Sequence, residues 1–261
     1  RNLSTVGAVP VAATNCLNFG NPERPEIMAQ LVEAIEGMGE ACAHFETPIT
    51  GGNVSLYNET LGEAVDPTPV VGIVGLLKTA APLAIDFKGP ERAVMLVGGL
   101  GECDRVRFGG TQYAKVVLGT AWGLPPALDM DYEKRVQAAI REVAAARLAE
   151  SAHDLSDGGL AVALAESSFG RSGVGAAVEL DSAMPAEWLL FHEGPSRILI
   201  STQFPERVER VAEEHGVAAL RIGVTVENRL AIRAGGTLLV EAETKRLRDL
   251  WESALERALR G

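Results

Sequence analysis

Between the short apolar runs Val9–Thr14 and Val70–Leu77 lies one strongly periodic segment. Ile27, Met28, Leu31, Val32, Ile35 and Met38 recur at helical spacing, with Gln30, Glu33 and Glu36 on the opposite side. Pro25 stands just ahead, where proline favours helix initiation. An amphipathic helix framed by runs of strand length must lay its apolar face on a sheet.

The mixture continues along the chain. Ala93–Val97, Val174–Leu180, Arg197–Ser201 and Ala219–Val224 read as strands, and Val70–Leu77 as a buried one. Tyr132–Leu148, Gly159–Phe169, Pro205–His215 and residues 243–259 read as helices, and Gly235-Gly236 as the turn of a hairpin. The order is not strictly alternating, which predicts an α/β fold with mixed (α+β) sheets in two bodies. The polar stretch 79–92, with Pro82 and Pro90, is the expected boundary. It gives domains over 1–88 and 89–261.

With 47% hydrophobic and 23% charged residues, the 261-residue chain can build a core. A net charge of −11 argues against nucleic-acid binding, which relies on clustered Lys and Arg. No apolar run reaches bilayer length, and Cys16, Cys42 and Cys103 have no metal-ligand spacing. A soluble, cytoplasmic protein with free thiols is expected. Arg1-Asn2-Leu3-Ser4 reads as the end of a helix whose start is missing, so a fragment of a longer protein is expected.

The densest candidate for chemistry is Gly51-Gly52-Asn53-Val54-Ser55. Two glycines permit a tight turn and close approach of a ligand. Asn53 offers a hard oxygen for magnesium, and Ser55 a hydroxyl for a phosphate or substrate group. The same residues fit a plain turn equally well. Asn15 and Asn18 follow a strand, where α/β proteins place ligand groups, yet they also suit a polar capping loop.

Within His153-Asp154-Leu155-Ser156-Asp157-Gly158-Gly159, acid–base work or cation binding competes with a helix cap from Ser156 or Asp157. Before the next strand, Ser196 and Arg197 suit either a phosphate or a surface ion pair. Gly98-Gly99-Leu100-Gly101 lacks the spacing of a dinucleotide loop, and Gly109-Gly110 reads as a turn.

Three longer segments, taken in order, carry a resemblance. They are Thr14-Asn15-Cys16-Leu17-Asn18-Phe19-Gly20-Asn21-Pro22-Glu23, Thr50-Gly51-Gly52-Asn53-Val54-Ser55-Leu56-Tyr57-Asn58-Glu59 and Ser151-Ala152-His153-Asp154-Leu155-Ser156-Asp157-Gly158-Gly159-Leu160. Across essentially its whole length the chain resembles the C-terminal half of the phosphoribosylformylglycinamidine synthase family, at its synthetase subunit. That family lies in the aminoimidazole ribonucleotide synthetase-like superfamily.

The resemblance implies a second A-type domain over 1–88 and a second B-type domain over 89–261. It implies an ATP-dependent carbon–nitrogen ligase of purine biosynthesis that converts formylglycinamide ribonucleotide and ammonia to the amidine. By motif, Asn15 and Gly52 would contact ATP, Asn53 would ligate magnesium, and Ser55 would touch the ribonucleotide. Family members commonly carry Asp where this chain has Asn15, so the metal is assigned to Asn53 and not to Asn15.

The implied partners are the first half of the synthetase, a glutaminase subunit and a small accessory subunit. The family's catalytic histidines lie in the first half, so no catalytic residue is assigned and the chain alone is expected to be inactive. Before Arg197 the family reads closer to Phe-Gly-Glu-Ser-Gln-Ser-Arg, whereas this chain has His192 and Gly194-Pro195. That turn, and His153, are expected to be structural. Competing readings are a self-associating, non-catalytic scaffold, or another ATP-using member of the superfamily.

Overall fold

The computed structural model of the protein describes residues 1–78 and 81–260. Contacts divide the chain into two compact units, Ala8–Lys78 and Arg1–Gly7 with Thr79–Gly261. In chain order, helix α1 (Asn2–Thr5) precedes strand β1 (Ala8–Asn18), helix α2 (Pro25–His44) and strand β2 (Ile49–Ser55). A short hairpin, β3 (Glu59–Thr60) and β4 (Glu63–Ala64), leads into β5 (Thr68–Leu77).

The remainder runs β6 (Ala93–Val97), α3 (Arg105–Phe108), α4 (Gln112–Val116), α5 (Met130–Ala145), β7 (Ser151–Asp154), α6 (Gly159–Ser167) and β8 (Val174–Leu180). It closes with α7 (Ala186–Phe191), β9 (Ile198–Thr202), α8 (Pro205–Glu214), β10 (Ala219–Glu227), β11 (Arg229–Ala234), β12 (Thr237–Glu243), α9 (Thr244–Glu252) and α10 (Ala254–Arg260). No helix among the described residues is long and apolar enough to cross a membrane.

In the unit Ala8–Lys78, β1 is the central strand, parallel to β2 and antiparallel to β5. Helix α2 begins with Pro25 at its first position and Glu26 in its first turn, both suited to a helix N-terminus. Its Ile27 joins Leu17 and Phe19 in a small core, against which Leu31, Ala34 and Met38 pack.

The periodic helix is therefore present, but the expectation of a buried Val70–Leu77 strand is not met. Val70, Val74 and Leu76 of β5 are 54%, 58% and 62% exposed. A run apolar at every position is the pattern of a strand covered on both faces. Here one helix covers a little of one face, so the strand is right and its burial is not. The Gly51-Gly52 pair also departs from expectation. It lies within β2, with neither glycine at positive φ, so no tight turn calls for them.

In the other unit, seven strands form one sheet in the order β12-β11-β8-β10-β6-β9-β7. Strand β6 explains the layering. Val94 and Leu96 pack with Leu160 and Leu164 of α6, while Met95 and Val97 pack with Val136, Ile140 and Val143 of α5 and Val208 of α8. Alternate side chains thus enter two separate cores, which makes a three-layer helix–sheet–helix arrangement from a fully apolar run.

Three local features differ from what the sequence predicts. Ser151–Asp154 is a strand paired with β9, where the sequence predicts only a turn between helices. Helix α7 has no strong periodic signal. The C-terminal helical stretch breaks in two at Ser253, whose hydroxyl donates back to the Asp249 carbonyl.

Candidate functional site

Strands β1 and β2 set the candidate residues side by side. Their parallel register pairs Asn15 with Gly52, Cys16 with Asn53, and Asn18 with Ser55. Asn18 and Ser55 are the last residues of the two strands, at the ends where α/β sheets expose ligand-binding groups.

Strand alternation then sorts them by face. Asn15 and Gly52 share the face of Leu17, whose side chain packs against α2. Cys16, Asn18, Asn53 and Ser55 share the other. The structure thus brings Asn53 and Ser55 onto one surface and pairs Asn15 with Gly52 on the opposite one. The sequence predicts loops at these positions; period-2 alternation is the signal that separates the residues by face.

Gly52 is required by close approach. A Cβ there would lie 2.0 Å from Asn15 Oδ1 and 2.9 Å from the Asn15 carbonyl oxygen. At Gly51 a Cβ would meet nothing within 4 Å.

Asn53 is exposed, and its Nδ2 donates to Cys16 Sγ at 3.8 Å. Asn18 Nδ2 donates to the same sulfur at 3.6 Å. Ser55 Oγ donates to Asn58 Oδ1 at 3.1 Å, and Asn58 Nδ2 donates to the carbonyls of Ser55 and Phe19 at 2.9 and 3.1 Å. Asn58 ties the end of β2 to the end of β1, a bracing role that its place in the motif does not reveal.

Among the described residues no donor reaches Asn53 Oδ1, which can serve as a hard ligand. Among the described residues no group of three or more His, Cys, Asp or Glu side chains could hold a metal ion. The strand ends therefore offer magnesium one neutral oxygen. That suits an ion ligated mainly by phosphate and water, not an all-protein cage.

The other sequence candidates lie in the seven-stranded unit. His153 Nε2 is 2.9 Å from Glu166 Oε2, and Nδ1 is 2.7 Å from the Asp154 carbonyl. Burial alone would pull this imidazole down. The hydrogen bonds to Glu166 and Asp154 and the charges of both carboxylates outweigh it and hold the group above its ordinary value. Asp154 faces Arg1 at 3.5 Å, and Asp157 is exposed.

Neither Ser156 nor Asp157 caps α6. Its N-cap is Gly158, at φ 77°, and the Gly158 N–H donates to Glu193 Oε1 at 2.8 Å. The same oxygen accepts from the Gln112 N–H at 2.8 Å, so one carboxylate anchors the starts of α4 and α6.

Arg197 forms neither a surface ion pair nor an open phosphate grip. It is 1% exposed and donates to the carbonyls of Gly194, His192 and Leu100 at 2.9, 2.7 and 3.3 Å. Its Nη1 lies 2.9 Å from His192 Nε2, which is also 3.0 Å from the Leu100 carbonyl, while His192 Nδ1 accepts from the Gly194 N–H at 3.4 Å. With Nδ1 accepting, the neutral ring carries its proton on Nε2 and donates to the Leu100 carbonyl. Burial, reinforced by the Arg197 charge, pushes His192 down to about 4. Burial likewise pushes Arg197 down to about 9, leaving it charged at neutral pH. Ser196 Oγ donates to the buried Glu133 at 2.6 Å.

The Gly98–Gly101 loop serves this packing. A Cβ at Gly98 would lie 1.8 Å from the Ser196 carbonyl oxygen, and one at Gly101 would lie 3.1 Å from both Arg197 Cδ and His192 Cε1.

Comparison with known proteins identifies the scaffold. Residues 1–77 match the N-terminal domain model of AIR synthase related proteins, and residues 89–234 match the C-terminal domain model. The chain belongs to the AIR synthase related protein family. Its mixed fold is this family's N-terminal domain followed by its C-terminal domain.

Among curated AIR synthase relatives, the phosphoribosylformylglycinamidine synthase subunit PurL of Moorella thermoacetica is 46% identical over 259 residues, covering 98% of this chain and 34% of that protein. The PurL of Caldanaerobacter subterraneus is 41% identical, covering 98% and 35%. The chain thus spans about a third of the length of these relatives.

Among solved AIR synthase folds, Thermotoga maritima PurL complexed with FGAR aligns with a TM-score of 0.75 at 20% identity, covering 95% of this chain and 41% of that one. The T. maritima PurLQS structure aligns at 0.70 and 20%, covering 95% and 40%. Hydrogenase maturation protein HypE aligns at 0.62 and 17%, covering 93% and 79%. At these identities the likeness is one of fold.

Proposed function

We propose that the chain is the second half of the synthetase subunit of phosphoribosylformylglycinamidine synthase, with its A-type domain over 1–88 and its B-type domain over 89–261. The complete enzyme would use ATP to activate the amide of formylglycinamide ribonucleotide, and ammonia would displace phosphate to give the amidine. The curated relatives carry this activity in their names and match 98% of the chain at 41–46% identity. Solved T. maritima PurL complexes with FGAR and with ATP have the same fold.

The observation that carries the reading is the β1–β2 register, which aligns Asn53 and Ser55 on one face at the strand ends. Asn53 would hold magnesium through Oδ1, and Ser55, released from Asn58, would touch the ribonucleotide. Asn15 and Gly52, packed on each other across the sheet, would contact ATP, which reaches both faces by lying across the strand ends. Bound magnesium would offset charge on the phosphates. The strand residues position ligand and metal; no group here is assigned proton transfer.

The uncovered face of β5 supports a partner, the first half of the same synthetase. A glutaminase subunit and a small accessory subunit complete the proposed assembly, in the cytoplasm. The same uncovered face favours a second reading, in which the isolated chain self-associates as a non-catalytic scaffold.

Titration calorimetry with magnesium and ATP tests the site. Binding by the chain that is lost in Asn53→Ala supports it, and equal binding by both proteins rejects the role of Asn53. Adding the first half should restore amidine formation. Turnover by the chain alone would overturn the division of labour.

A further inference from the structure

An asparagine can present either end of its amide, so a metal-binding Asn53 needs a neighbour that holds its nitrogen. Oxygen and nitrogen differ in what they bond, and an acceptor beside one end fixes the orientation. The neighbour here is Cys16, directly opposite Asn53 in the parallel register. Asn53 Nδ2 donates to its sulfur at 3.8 Å, and Asn18 Nδ2 approaches the same sulfur at 3.6 Å. Asn18 Nδ2 is further anchored by the carbonyls of Cys16 and Thr68, each at 3.4 Å. With two amide donors converging on it, the sulfur acts as acceptor, and Asn53 is held by its nitrogen end. Asn53 is otherwise exposed, and among the described residues no second hydrogen bond restrains its amide.

We infer that Cys16 is a positioning residue for the proposed magnesium–nucleotide site, holding the Asn53 amide so that Oδ1 faces the metal. This rests on the proposed function of the same strands. The role needs an acceptor at Cys16, not a reactive thiol. A hydroxyl in its place should preserve the effect, and a methyl should not.

The test compares the wild-type chain with Cys16→Ala, Cys16→Ser and Asn53→Ala. ATP affinity is measured by calorimetry with and without magnesium, and the Asn53 side-chain N–H resonances are followed by NMR. Cys16→Ala should weaken magnesium-dependent ATP binding about 3- to 10-fold, the worth of one neutral hydrogen bond. Affinity without magnesium should be unchanged, and the Asn53 N–H resonances should move. Cys16→Ser should restore both.

A purely structural cysteine would lower affinity equally with and without the metal and would gain nothing from serine; that outcome overturns the inference. Unchanged metal dependence in Cys16→Ala, with binding lost in Asn53→Ala, overturns the inference and leaves the functional reading standing. Absence of magnesium-dependent binding by the wild-type chain overturns both.

Discussion

The Asn15 amide lies so close over Gly52 that a Cβ at position 52 would sit 2.0 Å from Oδ1 and 2.8 Å from Cγ. Gly52→Ala must therefore displace the Asn15 side chain and strain the adjoining carbonyl. Overpacking of this kind costs about 1–3 kcal/mol. The expected outcome is a lower urea midpoint and at least a tenfold loss of ATP affinity by calorimetry. Gly51→Ala is the matched control. It meets open space without positive φ, so stability should hold or rise by about 0.5 kcal/mol through reduced freedom of the unfolded chain.

Arg197 holds three backbone carbonyls in the interior of the seven-stranded unit. Arg197→Met would leave those acceptors buried and unpaired, at about 3 kcal/mol or more. Lysine cannot reproduce the planar fork, so Arg197→Lys should recover little. Urea denaturation of the two variants checks this. A loss below about 1 kcal/mol in both would show that the guanidinium does not anchor the loop.

What the sequence reveals follows the range of each interaction. Helix α2 and strand β6 are legible because local periodicity and apolar runs report them directly. The burial of β5 is not, because its exposure depends on what lies against it. The pairing of Asn15 with Gly52 is hidden by their separation along the chain, and only the parallel register shows that Gly52 answers to Asn15 rather than to a turn. The cap of α6 escapes for a similar reason: Glu193, distant in sequence, supplies the acceptor that Ser156 and Asp157 do not. The motifs lie on adjacent strands, but the faces on which their side chains lie emerge only from the alternation along β1 and β2.

Two histidines in the same unit should oppose each other in acid. His192 is depressed from 6.5 to about 4. As pH falls below 6.5 its unfolded form takes up a proton that the folded form refuses, so stability declines until about pH 4. The full effect is about 3 kcal/mol. His153 is raised, so its contribution is present in acid and is lost as pH rises through its folded value. His192→Gln, whose amide does not titrate and can still donate to the Leu100 carbonyl, should flatten the loss between pH 6.5 and 4. Glu166→Gln should instead weaken the His153 contribution near neutrality. Thermal or urea unfolding across roughly pH 4–8 separates the two, and an unchanged acid limb in His192→Gln would refute the assignment.

Val70, Val74 and Leu76 lie on one face of β5, continuing across Val9 of β1, and all four are exposed. That face adjoins the Cys16–Asn53 surface, and its edge strand has unpaired backbone groups on one side. An apolar sheet surface of this kind is stable in water when a partner covers it. The isolated chain is expected to self-associate at micromolar concentration, and Val74→Lys with Leu76→Lys should weaken association at least tenfold while leaving far-ultraviolet circular dichroism unchanged. Each buried aliphatic side chain contributes roughly 1.5–3 kcal/mol, so two buried charges suffice for that loss. Sedimentation equilibrium reads the outcome. If the first half of the synthetase is the native cover, adding it should dissociate the self-associated chain, and the lysine variant should fail to bind it. A wild-type chain that stays monomeric at every concentration, and that the first half does not engage, would show that this face needs no cover.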